Sequence, residues 1–474
     1  MQIQPKDVSA RALKLLKLHE GLITFFQRHL NDKQFVIISG VLIGVTSALA
    51  AILLKTMVFY INAFLFTEVN RGYISNYIYA LFPLIGLIAT ATIVHFRYKG
   101  NLGGGNAAIQ YAIKKKESKL PKHLMYSHIF TSAITVGTGG STGLETPIVT
   151  TGAAIGSNYG KTYKVTPEER TIMVACGVAA GIAATFNAPI AGVLFAVEVL
   201  IAEISVAAFI PILIAAASGA ILSDIILNEQ VLLSFNLLEP FNYRNVPFYV
   251  LLGLISGVVS VYYIKLFTII ESWLKRVKQK YYLQKSIIGG LMLGLLILAF
   301  PPLFGEGYIA IKNLSELDLA TSLNGSILDS NLNDPWVLIL MTLVIMLLKV
   351  VATGITIGSG GNGGNFAPSL FTGAYLGYAF ASLFNITGWF HLPISNFTIV
   401  AMAGVLSGIF HAPLTAIFLI AEITGGYDLI VPLMIVAALS FGTSKYLFEY
   451  PLDGAKLQRM LQTDMQSDKK EDLS

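Results

Sequence analysis

Residues 131–156 read TSAITVGTGGSTGLETPIVTTGAAIG, and residues 352–377 read ATGITIGSGGNGGNFAPSLFTGAYLG. At a constant offset of 221, Gly137, Gly139, Gly140, Gly143, Pro147, Gly152 and Gly156 meet Gly358, Gly360, Gly361, Gly364, Pro368, Gly373 and Gly377. Seven glycine and proline matches in one register mark an internal duplication. A second pair follows each copy. GVAAGIAATFNAPIAGVLFAVE (177–198) resembles GVLSGIFHAPLTAIFLIAE (404–422), and both contain G-x-x-x-G. Each also sets the proline of an Ala-Pro nine residues before a glutamate, Pro189 before Glu198 and Pro413 before Glu422. The duplicated halves run over about 34–225 and 248–447. Transporter folds often arise by such duplication, with the interrupted segments of the two copies meeting near the midplane to form the site.

The rest of the chain says what solvent this repeat lives in. Of 474 residues, 54% are hydrophobic and 12% charged, with a mean hydropathy of +0.68. Soluble domains carry roughly 25% charged residues, so a soluble globule is excluded. Disordered chains are poor in apolar residues, and the single cysteine, Cys176, excludes a disulfide scaffold. Apolar stretches near the ~20 residues that cross a bilayer occur at 35–66, 79–96, 171–201, 206–227, 248–270, 287–300, 336–357 and 429–447. Between 125 and 160 and between 363 and 423 the apolar runs are shorter and broken by Gly and Pro. The segments are continuously apolar, not alternating, which argues against a β-barrel. The fold class is an all-α polytopic membrane protein.

Residues 1–33 hold six basic residues but no apolar core with a cleavage site, so they are not a signal peptide. Ala10–Leu30 reads as an amphipathic helix, lying on a membrane surface or packed on the protein's own cytoplasmic face. Loop 97–122 carries seven basic residues and loop 271–285 five, whereas loops 67–78, 227–247 and 305–335 carry one each. The positive-inside rule puts the basic loops in the cytoplasm and the others outside, and both termini are expected in the cytoplasm. Orientation explains the lysine clusters, and no nucleic-acid partner is implied. The expected partner of the apolar surfaces is membrane lipid.

The glycine-rich segments then acquire a chemistry. Non-helical backbone is tolerated at membrane depth only where protein or a water-filled cavity surrounds it. A glycine-rich stretch that opens a helix leaves backbone N–H groups free, and with the helix dipole they favour an anion. Three segments qualify: 102–107, 137–147 and 358–368. In the latter two a proline stands where a first helical turn tolerates it. Pointed at one place, three such N-termini make an anion site without a buried lysine or arginine. Gly177/Gly181 and Gly404/Gly408 read instead as close-packing devices. Gly358–Gly363 also matches G-x-G-x-x-G, but no strand precedes it and no βαβ unit surrounds it, so it is no dinucleotide motif.

Glu145 lies in an uncharged stretch between Lys122 and Lys161. An intramembrane carboxylate is a functional-site hypothesis by default. Deprotonated, it occupies an anion position; protonated, it leaves, making it both gate and proton carrier. The plainer alternative is a capping carboxylate. Glu198 and Glu422, in matched places near helix ends, read as structural or interfacial carboxylates.

Together these residues resemble the CLC family of chloride channels and chloride/proton exchangers over nearly all of 34–461. The family's G-K/R-E-G-P motif is matched by Gly143-Leu144-Glu145-Thr146-Pro147, G-x-F-x-P by Gly364-Asn365-Phe366-Ala367-Pro368, and G-S-G-I-P, degenerately, by Gly103-Gly104-Gly105-Asn106-Ala107. The resemblance implies an inverted repeat of tilted and re-entrant helices. It further implies a homodimer with one pore per subunit, the 177–199 segment supplying the dimer-interface helix. It makes Glu145 the gate, and Gly104, Gly105, Leu144, Asn365 and Phe366 the other anion-binding positions. No cofactor is implied beyond the bound chloride or other halide. A membrane domain over 34–461 would end in a helix at about 452–462, followed by a polar tail, 463–474, with no regulatory nucleotide-binding pair.

Three positions depart from the family pattern. The anion-contacting serine falls on Gly104, which has no hydroxyl. Matching AKLQRML to the last helix puts the pore tyrosine on Asp453, with Tyr446 and Tyr450 as the neighbouring registers. The exchangers' internal proton glutamate falls on Val199. An ionised Asp453 at the inner pore should repel an anion, so it either has a raised pKa through burial or makes conduction pH-dependent. The function expected is passive transport of chloride or a similar small anion; the alternatives are a proton-coupled exchanger and a fluoride-type transporter. An enzyme is disfavoured: there is no H-E-x-x-H, Cys176 is the lone thiol, and His95 and His411 stand isolated.

Overall fold

A computed structural model describes residues 32–70, 78–201, 206–227, 240–315, 334–388, 390–425 and 427–471. Among them no strand forms, and seventeen α-helices follow one another. The first half contains α1 (Asp32–Asn70), α2 (Phe82–Tyr98), α3 (Asn106–Lys115), α4 (Leu124–Gly137), α5 (Glu145–Tyr163), α6 (Pro167–Phe186), α7 (Pro189–Phe195) and α8 (Val206–Leu227). The second contains α9 (Val246–Lys275), α10 (Tyr282–Ala299), α11 (Tyr308–Ser315), α12 (Pro335–Gly358), α13 (Phe366–Ile386), α14 (Ile394–Phe410), α15 (Pro413–Thr424) and α16 (Ile430–Leu447). A last helix, α17, runs Gly454–Glu471. It continues past the expected end at 462: its polar sequence suits a solvated helix, and Leu457, Met460 and Leu461 at i, i+3, i+4 pack on Ala107 and Tyr111. The expected N-terminal amphipathic helix, Ala10–Leu30, lies outside the described residues.

Among the described residues, eight helical segments are long and apolar enough to cross a membrane. Large apolar side chains such as Phe59, Phe64, Ile225 and Leu295 are exposed on them, as befits surfaces solvated by lipid. The expected stretch 171–201 is broken in two. Asn187 takes a left-handed φ of 53°, and Pro189 opens the next helix at N1, so α6 ends at Phe186 and α7 starts afresh. A π-helical turn, Ala196–Ile201, continues α7.

The symmetry of the duplication is visible at its centre. Gly143 N–H donates to Gly364 C=O at 2.9 Å, and Gly364 N–H donates to Gly143 C=O at 2.8 Å, in an antiparallel bridge. These two residues are the same position of the two repeats. A reciprocal antiparallel bridge is two-fold symmetric, as an inverted repeat requires. The glutamates obey the same dyad. The Glu198 carboxylate accepts from the amides of Leu414 (3.1 Å) and Thr415 (2.8 Å) at the start of α15. That of Glu422 accepts from Ile190 (3.0 Å) and Ala191 (2.8 Å) at the start of α7. Each copy caps the other's short helix.

Helices α6 and α14, related by the repeat, are both largely buried. Their glycine contacts correct the alignment of the second sequence pair. A methyl group on Gly152 of α5 would overlap the Gly177 carbonyl oxygen, and one on Gly373 of α13 would sit 2.6 Å from that of Ala401. Ala401 is therefore the counterpart of Gly177. Gly404 and Gly408 face Ser256, Val436 and Ser260 of α9 and α16 instead. All four glycines do pack closely, but the two G-x-x-x-G motifs are three residues out of register.

Candidate functional site

The three glycine-rich segments converge. The Gly143–Gly364 bridge sets the start of α5 beside the start of α13. A methyl added to Gly364 would run into Thr146, and one added to Gly105 would come within 4.0 Å of the Thr146 methyl. Gly105 N–H donates to Thr150 Oγ1 of α5 at 3.0 Å, tying the start of α3 to the same place. So Gly104, Gly105, Leu144, Glu145, Asn365 and Phe366 gather in one place, with Leu144, Glu145 and Phe366 buried and the other three partly exposed. Helix α3 starts after Gly105, α5 after Leu144 and α13 after Asn365, and no side chain caps any of the three. The first four amides of a helix lack intrahelical partners, so these ends keep donors for an anion. Pro147 and Pro368 sit at the third helical position, where no intrahelical bond is lost.

Side chains fix this backbone without filling it. Asn365 Oδ1 accepts from the Tyr263 hydroxyl at 3.0 Å, which leaves its amide to the site. Phe366 is held by the rings of Phe186, Phe195 and Phe410 at 5.5–6.0 Å. Gly103, Gly104 and Gly105 take φ values of 74°, 85° and 82° in succession, a run that only glycine tolerates. At Gly104 a Cβ would come within 2.6 Å of both His128 Nε2 and the Thr150 methyl. The missing serine therefore follows from geometry: in this conformation no hydroxyl-bearing side chain fits.

A buried polar chain braces the loops from behind. Asn362 Nδ2 donates to Thr131 Oγ1 at 2.7 Å and stands 3.1 Å from His128 Nδ1, while His128 Nε2 is 3.2 Å from Gly103 C=O. An amide donor on Nδ1 and a carbonyl acceptor at Nε2 require a neutral ring protonated on Nε2. Neither His128 nor Asn362 stood out in sequence.

Glu145 is 1% exposed. Tyr308 O–H donates to its Oε1 at 2.7 Å. Oε2 is buried without a hydrogen bond of ordinary geometry, beside the amides of Ala367 and Glu145 itself. Its carboxylate thus lies across the dyad, among the first amides of both α5 and α13. At the start of α3, Asp453, which precedes α17, accepts at Oδ2 from Asn106 Nδ2 at 3.0 Å. Asn106 Oδ1 is buried without a partner. Tyr446 is 90% exposed, whereas Asp453 reaches the start of α3 through its bond to Asn106. Burial pushes the Asp453 carboxyl up, with Lys456 and the Asn106 bond acting against it. Val199 lies in the π-turn after α7, and its carbonyl accepts from Gln110 Nε2 of α3.

An all-helical membrane chain whose inverted halves aim uncapped helix ends at one buried carboxylate is built to pass anions. The family model "Voltage gated chloride channel" matches residues 85–445, and the chain belongs to that family. It is 30% identical over 319 residues to a putative chloride channel protein ClcB-like of Ralstonia nicotianae, covering 66% of this chain and 70% of that protein. It is 26% identical over 468 residues to the H(+)/Cl(-) exchange transporter ClcA of Vibrio vulnificus, covering 95% of each. A slow cyanobacterial Cl-/H+ antiporter superposes with a TM-score of 0.77 at 22% identity, over 91% of this chain and 99% of that one. A CLC-type fluoride/proton antiporter gives 0.70 at 24% identity, over 88% and 97%. The chain is an anion-transport protein.

Proposed function

We propose that this protein carries chloride, or a similar small anion, across a bacterial plasma membrane through a path in each subunit of a homodimer. Backbone amides of α3, α5 and α13 hold the anion and Glu145 gates it. The observation that carries this reading is the Glu145 carboxylate itself, lying where two uncapped helix ends meet. There a charged carboxylate and a free anion compete for the same donors. Protonation removes that competition. The basic loops 97–122 and 271–285 favour a cytoplasmic face on the side of Asp453 and an external face on the side of Tyr308. Exchange with protons is the second reading. Relatives such as the Vibrio vulnificus protein are exchangers, and a carboxylate gate moves protons by its nature; Val199 leaves no internal glutamate at the family's place.

The test is flux from liposomes loaded in turn with chloride, bromide and fluoride, with pH recorded simultaneously. Chloride efflux above that of empty liposomes is expected, and no efflux of any anion would reject the reading. Anion efflux without linked proton movement would reject exchange.

Asp453 gives a separate prediction. Its raised folded pKa means that the folded state binds this proton more tightly than the unfolded one. Its contribution to stability is complete below the ordinary carboxylate value near ~4 and is lost as pH rises through the folded value. Asp453→Asn should therefore raise the thermal midpoint at neutral pH, with the gain vanishing in acid. It should also speed anion flux at neutral pH. A variant with wild-type flux and pH profile would remove Asp453 from the path.

A further inference from the structure

The loop Phe304–Tyr308 places a second carboxylate, Glu306, beside the gate. Glu306 stands between Gly305 (φ 63°) and Gly307 (φ 98°), two left-handed glycines that fix its direction. The loop is pinned to the repeat centre, since Gly305 N–H donates to Gly139 C=O at 3.0 Å. It is pinned to α12 by Lys349 Nζ, which donates to Gly305 C=O at 2.9 Å. Lys349 is fully buried, with its ammonium 4.7 Å from the Phe371 ring centre. Two residues on from Glu306, Tyr308 holds Glu145 Oε1. The Leu144 amide, at the start of α5, faces the Glu306 carboxylate.

The charged and titratable groups that act on Glu306 are Glu145 on α5, Tyr308 on α11, Lys55 on α1 and Lys349 on α12. Two carboxylates this near cannot both ionise freely, so they titrate as a pair. Burial, and then the Glu145 charge, push the Glu306 carboxyl above its ordinary range, with the two lysines opposing. Unlike Glu145, Glu306 keeps some solvent exposure, and it enters from the loop assigned above to the external side.

We propose that Glu306 is the outer proton partner of Glu145, taking the gate's proton and passing it to external water. In this step one O–H bond on a Glu145 oxygen breaks and one forms on Glu306. The Glu306 O–H then breaks in turn to give the proton to solvent, leaving both carboxylates ready for the reverse sequence. Tyr308 is a positioning residue: by donating to Oε1 it leaves Oε2 as the oxygen that carries the gate's proton. The proposal rests on the anion-gate reading of Glu145, and Glu306 as a mere structural partner of Lys349 is the competing role.

The experiment is the external-pH profile of chloride efflux from liposomes for wild type, Glu306→Gln, Glu306→Asp and Glu145→Gln. It is paired with infrared titration of protonated carboxyls in the same purified proteins, which reads the pair without any flux. The wild-type profile should show two coupled steps. Glu306→Gln should leave one, with its midpoint lower by about one unit or more, the size expected when a neighbouring like charge is removed. Glu306→Asp should restore two steps, and it carries the test if the glutamine variant does not fold. Should the profile and the infrared midpoint of both Glu306 variants coincide with wild type while Glu145→Gln is flat, Glu306 is structural and the proposal alone falls. Should Glu145→Gln keep its pH response, the gate reading falls and the proposal with it.

Discussion

Glu145→Gln is expected to abolish the response of anion flux to external pH and to leave the path open at neutral and alkaline pH. The reason is competition at a single place. The wild-type carboxylate lies among the first amides of α5 and α13, with Tyr308 donating to Oε1 at 2.7 Å. On the proposed reading, an anion enters only when that group is neutral and turned away. For a single protonation gate, wild-type flux should fall by up to about tenfold for each pH unit above the midpoint. Glutamine has the same shape without the charge, so the variant should show the acid-side wild-type rate throughout. If proton transport accompanies anion flux, it should disappear in the same variant, because glutamine cannot carry a proton. A pH profile unchanged from wild type would mean that the carboxylate only caps a helix.

Gly177→Leu is expected to be among the most damaging changes to the scaffold. A Cβ on Gly177 would overlap the carbonyl oxygen of Gly152 and lie 2.6 Å from its carbonyl carbon. Those atoms belong to the backbone of α5, the helix that carries Glu145, so α5 and α6 must separate. Overpacking a tight core costs roughly 1–3 kcal/mol and occasionally more. A clash with backbone belongs at the upper end, and it should lower the thermal midpoint and displace the gate. Gly442→Ala is the matched control. Nothing lies within 4 Å of its added methyl, and it removes a glycine from the interior of α16. That should be neutral or stabilise by about 0.5–1 kcal/mol. Equal midpoints for the two variants would contradict the packing described between α5 and α6.

Much of this was legible in sequence for reasons that can be named. Spans were legible because lipid demands long apolar runs, and the duplication because helix starts need glycine and proline at fixed places; its inversion came only with the family resemblance. Glu145 was legible because a carboxylate alone in such a run is costly to bury and is seldom kept there without a role. The break at Asn187–Pro189 was missed because neither flank loses its apolar character. The partners of Glu145 were missed because Tyr308 lies 163 residues further along the chain, in what reads as an ordinary external loop. The G-E-G-Y pattern at 305–308 was the available signal: one acid held between two glycines next to an apolar run. Glu198 and Glu422 were recognised as matched structural carboxylates. That each caps the other copy's helix depends on the dyad, and a linear comparison of repeats does not display it. The three-residue slip between the two G-x-x-x-G motifs has a similar origin: each motif packs on a different neighbour, so their likeness is not one of position.

The central claim is that backbone amides, not cationic side chains, hold the anion. Anomalous diffraction from bromide-soaked crystals of Glu145→Gln tests it most directly, since the variant vacates the gate without removing any amide. A bromide peak is expected at the meeting of the three helix starts, within hydrogen-bond reach of the Asn365 and Phe366 amides. Peaks found only at lysines such as Lys349 or Lys55, with none at those helix ends, would contradict it.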